Sequence, residues 1–451
     1  MKKILFISYY FPPDRGVGGL RIARFSKYLP LYGWRPFVLT TRDRYREGLD
    51  RERLKGLERI EIFKTMELPT LKDFYLKVKG FLDSRRRSMV ESESARSAVE
   101  PEDQSSRRET VVGRLKRYFI SLFVLLPDEK RGWILPAAVK AIREIKRRKI
   151  DCVMTSSPPH SAHLVGLLVK KWTGVTWVAD FRDPWTDLLA CKSDAARSAL
   201  SDRIERWMEK EVVRRADRII VTTEALKAVF QERYPGAPRE KFLYITNGID
   251  QEEFDAHKRP EKYKTFTITY AGTLYFGRTP EPLFKAIQGL ISEGKIDPSG
   301  IRVKLVGDCQ FIDGRPTIDL VQSCGLDKVV EISEAVPYPE ALQMIRRSHL
   351  LLLIATPLQR LCVPAKFYDY FGAGTEILAL TEEGATSELI QKTGNGVCFS
   401  PRDIQGISGY IGAFIDRIHD LPLNLPNRFD RFDMRYLTKD LSDALTMVKD
   451  S

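Results

Sequence analysis

A repeated rhythm constrains the fold of this chain more than any other feature. Short β-branched or aromatic runs alternate with amphipathic helical stretches, and after a pause the whole pattern restarts. The first series predicts strands at Ile4–Ser8, Pro36–Thr40, Ile60–Lys64, Asp151–Thr155, Thr176–Asp180, Arg218–Thr222 and Phe242–Ile245. Helices such as Gly19–Leu31 and Arg197–Arg214 lie between them. The second series predicts strands at Phe266–Ala271, Val303–Val306, Val329–Ile332, Leu350–Ile354, Ile377–Leu380 and Gly396–Phe399. Such alternation argues for parallel α/β layers. The polar, proline-containing segment 255–264 reads as a hinge, and 451 residues suffice for two domains with real cores. The expected organisation is therefore α/β, with an N-terminal Rossmann-like domain over 1–254, a second over 265–425 and a C-terminal helix over 426–451.

One segment breaks the rhythm. Residues 83–110 are rich in Ser, Arg and Glu with almost no large apolar side chain. Such a stretch buries too little surface to offset its ordering entropy, so a disordered insertion is expected. Residues 111–133 then combine basic Arg114, Lys116 and Arg117 with Tyr118, Phe119, Leu122 and Phe123. That composition suits a helix lying in a membrane interface, and equally a helix packed on the first sheet.

Composition narrows the class. Apolar content of 43% and charged content of 29% describe a globular protein, and Lys+Arg 73 against Asp+Glu 60 gives +13. That balance favours anionic partners: nucleic acid, an acidic membrane surface or phosphorylated small molecules. No recognised nucleic-acid module accompanies it. Six scattered cysteines without a C-x-x-C pair suggest free thiols rather than a zinc site. The N-terminal MKKILFISYYFPP reads as a first strand rather than a signal peptide, and no apolar run approaches the ~18 residues that span a bilayer. The expected location is cytoplasmic, or peripheral on the inner face of the plasma membrane.

Three glycine-bearing turns follow predicted strands. The first strand enters YYFPPDRGVGGLR, where Gly18 and Gly19 open a helix whose free N–H groups can cradle an anion, or serve only a tight connection. In YAGTLYFGR, Gly272 and Thr273 follow a strand, and Arg278 precedes a helix from which it can reach a pyrophosphate or simply face solvent. KLVGDC places Gly307 at a third strand end. SEAVPYPEAL puts Val336 and Tyr338 at a fourth, where a base can dock.

PAKFYDYFGAG poses a question of its own. Pro364 suits N1 and Gly374 suits C′ of a short helix, with Phe367 and Phe371 facing the core. Lys366 then sits in the first turn, where the helix dipole disfavours a cation. An anion at that terminus would remove the penalty, with Asp369 one turn deeper to accept hydrogen bonds from vicinal hydroxyls. The plain alternative is a Lys366–Asp369 surface pair.

With these strings assembled, the chain resembles the glycosyltransferase family 4 type of nucleotide-sugar-dependent glycosyltransferase. The resemblance rests on ISYYFPPDRGVGGLRIARFSKYL, DFRDPW, ITNGID, YAGTLYFGR, PAKFYDYFGAGTEILAL and GNGVCFSP, in that order. It implies a GT-B arrangement of two facing Rossmann-like domains, with the C-terminal helix returning to the first. It also implies a nucleotide diphosphate sugar donor, a glycan or polyprenyl-diphosphate-linked acceptor, and retaining transfer with no metal and no further cofactor. The family's diphosphate motif, Gly-Arg followed by Lys, maps onto Gly272, Thr273 and Arg278. Asp369 matches the second, ribose-binding glutamate, and Leu361 stands where the first would be. Arg182 replaces a histidine of the acceptor loop, with Asp183 beside it. The resemblance thus implies catalytic roles for Arg182, Asp183, Arg278 and Lys366. It points to a branch that builds bacterial surface polysaccharides. A nucleotide-sugar epimerase of the same fold is the enzymatic alternative, and a nucleic-acid-binding protein the non-enzymatic one.

Overall fold

The computed structural model describes residues 1–46, 48–70, 126–187, 198–255, 260–275, 277–417 and 431–447. The insertion expected at 83–110 and most of 111–133 lie outside these residues, as do parts of the expected hinge and C-terminal segment. Two parallel sheets organise the rest. In the first domain β1 (Lys2–Ile7), β2 (Trp34–Thr41), β3 (Glu61–Thr65), β4 (Cys152–Ser157), β5 (Thr176–Phe181), β6 (Arg218–Val221) and β7 (Phe242–Tyr244) stand in the order β3-β2-β1-β4-β5-β6-β7. In the second, β8 (Phe266–Ala271), β9 (Ile301–Val306), a β10–β11 hairpin (Phe311–Ile312, Arg315–Pro316), β12 (Val330–Ser333), β13 (Leu350–Ile354), β14 (Glu376–Leu380) and β15 (Gly396–Phe399) follow. There the sheet order is β12-β9-β8-β13-β14-β15, the hairpin standing apart.

Each domain reverses its strand order beside its first strand. Loops diverge at that switch point and leave a crevice at the strand carboxyl ends. One face of the first sheet is covered by helices Ile134–Arg148, Ser161–Thr173, Ala199–Arg215 and Glu224–Arg233, around buried Trp133, Trp177 and Phe230. The other face packs on helix Leu20–Tyr28 and on the C-terminal helix Met434–Met447, through Phe25, Met434 and Leu441. Helix Met434–Met447 therefore returns to the first domain, as expected of a GT-B arrangement.

Packing shifts two expected boundaries. Ile249 and Phe254 join the second domain's aromatic cluster with Phe367 and Phe371, ahead of the segment read as a hinge. Within 126–133, Leu126 and Trp133 are buried in the first domain, and the Trp133 indole donates to Thr65 Oγ1 at 2.7 Å. Leu126, Pro127 and Trp133 thus anchor this part of 111–133 to the first domain, while Glu129 between them is exposed. No described helix is long and apolar enough to cross a membrane.

Candidate active site

The carboxyl ends of both sheets line one cleft of about 790 Å³. Its second-domain wall begins where β8 ends. Gly272 (φ +142°) and Gly307 (φ +124°) hold a backbone region that side chains rarely adopt. A Cβ on Gly307 would fall 2.4 Å from the Gly272 carbonyl oxygen, and one on Gly272 only 2.5 Å from Lys366 Nζ. The two glycines thus let two loops and a lysine close on one point.

Lys366 opens the helix Lys366–Ala373, with Pro364 two residues before it rather than at N1. Gly374 ends the helix in the left-handed region, and Phe367 and Phe371 are buried as the pattern predicted. Lys366 makes no ion pair with Asp369. Its Nζ is buried without a hydrogen-bond partner among the described residues and lies 3.5 Å from the Tyr270 ring centroid. Burial, reinforced by the nearby Arg278 charge, holds its pKa well below the ordinary lysine value. Arg278 is itself 4% exposed, donates through Nε and Nη2 to Gln359 Oε1 at 3.3 and 2.9 Å, and stacks on Tyr275. Neither cation forms a salt bridge among the described residues. Desolvated positive charge without a counter-ion costs several kcal/mol.

Further along the same wall, the Tyr338 hydroxyl donates to Asp369 Oδ1 at 2.8 Å. Burial raises the Asp369 pKa, opposed by the Arg24 charge. Arg24 arrives from the first domain, donating to Gly248 O (2.7 Å), Glu253 Oε2 (2.7 Å) and the Tyr338 oxygen (3.2 Å). Val336 and Thr273 complete this side.

Across the cleft, Asp183 faces the second domain. The Cys362 thiol donates to its carboxylate, and burial raises its pKa above the usual 3.8 despite the Arg182 charge. Arg182 is differently employed. Its guanidinium donates to the backbone carbonyls of Ser157 (2.8 Å), Pro158 (2.8 Å) and Gly18 (2.5 Å). That ties three loops together, and Arg182 also lines the cleft. Gly18 lines the cleft and Gly19 does not: a Cβ there would meet the Phe11 backbone at 2.7 Å, so Gly19 serves a close chain approach.

The remaining candidates, Asp183, Gly272, Thr273, Arg278, Gly307, Val336, Tyr338, Lys366 and Asp369, all line this cleft. Sequence reasoning missed Arg21 and Arg24. Arg21 is buried against Asp180 (3.0 Å) and the Ile245 and Thr246 carbonyls. The signal was available: two arginines at i, i+3 inside an otherwise apolar helix face, each needing a buried partner. Leu361, where the family's first glutamate would stand, packs on the first domain's core while its carbonyl accepts from Thr223 Oγ1 at 2.7 Å.

Two facing Rossmann-like domains around a cleft of this kind define the GT-B fold. Solved structures agree across nearly the whole chain. A sucrose-phosphate synthase from Thermosynechococcus elongatus is 14% identical with a TM-score of 0.58, over 99% of this chain and 95% of that one. A lipopolysaccharide outer core galactosyltransferase is 15% identical (TM-score 0.56, 99% of each chain). A putative UDP-N-acetylglucosamine 2-epimerase from Listeria monocytogenes is 9% identical (TM-score 0.56, 100% of this chain and 98% of that one). Residues 96–253 match the model of Glycosyltransferase Family 4. No curated protein matches it at the sequence level.

Proposed function

We propose that this chain transfers a sugar from a nucleotide diphosphate sugar to a glycan or polyprenyl-diphosphate-linked acceptor, with retention, in cell-surface polysaccharide assembly. The observation that carries the reading is the buried, unpartnered Lys366 ammonium beside Arg278, over the Gly272–Gly307 cradle. These groups fit the donor diphosphate, with Asp369 and Tyr338 toward the ribose and Val336 toward the base. Charge growing on the leaving β-phosphate is then met by fixed cations in a site shielded from water, each contact worth about 3 kcal/mol at the transition state. Asp183, projecting from the opposite domain with a raised pKa, is placed to accept or relay the acceptor's proton. On this reading the cations neutralise the diphosphate without a metal. The protein works in the cytoplasm, at the inner membrane face when its acceptor is lipid-linked.

A thermal-shift screen of nucleotide diphosphate sugars tests the donor assignment, because a ligand that binds only the folded chain raises its melting temperature. Stabilisation by one donor, lost in Lys366→Ala and Arg278→Ala, is expected, and turnover that survives EDTA. Equal stabilisation of wild type and both variants would overturn the placement. The epimerase fold relative supports the second reading. Donor conversion in the absence of any acceptor would favour it.

A further inference from the structure

The first domain carries an outer face that the cleft does not use. Helices Ile134–Arg148, Ser161–Thr173 and Ala199–Arg215 lie side by side on the sheet, the second between the other two. Leu135 (60%), Val139 (68%), Trp172 (66%), Leu200 (45%) and Trp207 (60%) point out from them into solvent. The spacing is regular. Leu135, Val139 and Arg143 follow one another at i, i+4, and Leu200, Arg203, Trp207 and Lys210 at i, i+3 and i, i+4, so each set occupies one helix side.

Charge on these two outer helices is sorted by exposure. Every fully exposed charged side chain on them is a cation, including Arg143, Lys146, Arg147, Arg203, Arg206 and Lys210. Their acids are turned inward or half-buried: Glu144, Glu205 and Glu209 are at most 1% exposed. Apolar and aromatic side chains set among cations, without exposed acids, match an anionic lipid surface. The rings sit at headgroup level and the cations meet lipid phosphates. A protein partner would normally find both signs of charge to pair with.

We propose that this three-helix face is where the protein docks on an anionic bilayer. The assignment is independent of the donor site and differs from a contact through 111–125. Leu135, Val139 and Leu200 stand near the amino ends of their helices, the end at which the strand carboxyl termini and the cleft lie. A bilayer held there brings lipid-anchored molecules to the mouth of the cleft.

The tryptophans supply the test. Of the six in the chain only Trp172 and Trp207 are exposed, the other four being at most 2% accessible. Full-length protein is titrated with phosphatidylcholine vesicles, with and without phosphatidylglycerol, while its fluorescence is followed. Binding restricted to anionic vesicles, a blue shift and weakening at high salt are expected. Trp172→Asp with Trp207→Asp, and separately Arg143→Ser with Lys146→Ser, Arg203→Ser and Lys210→Ser, should each lower partitioning about tenfold or more. Unchanged thermal melting and donor-induced stabilisation would show those variants folded. Absence of binding by wild type, or equal binding by folded variants, would overturn the proposal. So would acrylamide failing to quench Trp172 and Trp207 in the free protein, which would mean that residues 71–125 or a second copy cover the face.

Discussion

The Lys366 ammonium lies 3.5 Å from the centroid of the Tyr270 ring, buried and without a hydrogen-bond partner among the described residues. A tyrosine face offsets only part of the cost of burying a cation. The free cleft therefore holds an amine whose charged form the fold itself does not satisfy.

Replacing that lysine separates stability from function. Lys366→Met should leave the apo melting temperature unchanged or raised, because it removes an uncompensated buried charge. Donor-induced stabilisation should vanish and transfer fall about 10²–10³-fold. Differential scanning fluorimetry with initial-rate assays checks both, and a clear drop in apo melting with the donor shift retained would contradict the assignment.

The same residue predicts a proton linkage. Its pKa is depressed below 10.5 in the folded chain. Between that depressed value and 10.5 the unfolded chain binds a proton that the folded chain lacks, so this group makes apo stability rise with pH across the window. A bound diphosphate favours the charged form. Donor binding should then take up a proton, and affinity should fall as pH rises through the depressed value. Calorimetry in two buffers of different ionisation enthalpy measures the uptake.

Asp183 should behave as a group of the chemical step. Asp183→Asn is expected to lower transfer about 10²–10⁴-fold while donor-induced stabilisation persists. Because burial raises its pKa above 3.8, the acid limb of the wild-type rate profile should lie above that value and disappear in the variant. Its sign for stability is opposite to that of a salt-bridged acid. This contribution is lost as pH rises from 3.8 through the folded value, since the folded chain holds the proton longer.

Arg182 should instead register as a stability residue. Arg182→Gln forfeits a charged donor shared by three loop carbonyls, with an expected loss of about 3 kcal/mol. Urea denaturation measures it. The rate per folded molecule should drop far less than in Asp183→Asn.

Leu361 stands where the family that the sequence resembles carries a glutamate. Leu361→Glu introduces the missing carboxylate into an apolar contact between the domains. Desolvating it costs several kcal/mol, so the domains should part rather than gain a sugar contact. A larger radius of gyration in small-angle scattering, with reduced turnover, is the expected outcome.

All thirteen strands of the two main sheets lie where alternating β-branched runs placed them, because a buried parallel strand needs an apolar run that few other structures tolerate. Among the described residues, only the two-residue strands of the β10–β11 hairpin escaped notice, being too short to show a period. The glycine turns were legible too, since positive φ and close backbone approach leave little choice of residue. Side-chain employment was not. Arg182 and Asp183 are neighbours in one string, yet one is spent on carbonyls of its own domain and the other faces the opposite domain.

The sequence by itself determined two parallel α/β domains, glycines at the strand ends and a lysine in an unfavourable helix position, because those features rest on local periodicity and backbone conformation. The tertiary structure decided which charges stay unpaired. Lys366 had Asp369 within reach along its own helix, but Tyr338 and the first domain's Arg24 engage that aspartate, and Tyr270 lies beneath the lysine. Those partners come from segments tens to hundreds of residues away, and only packing brings them together.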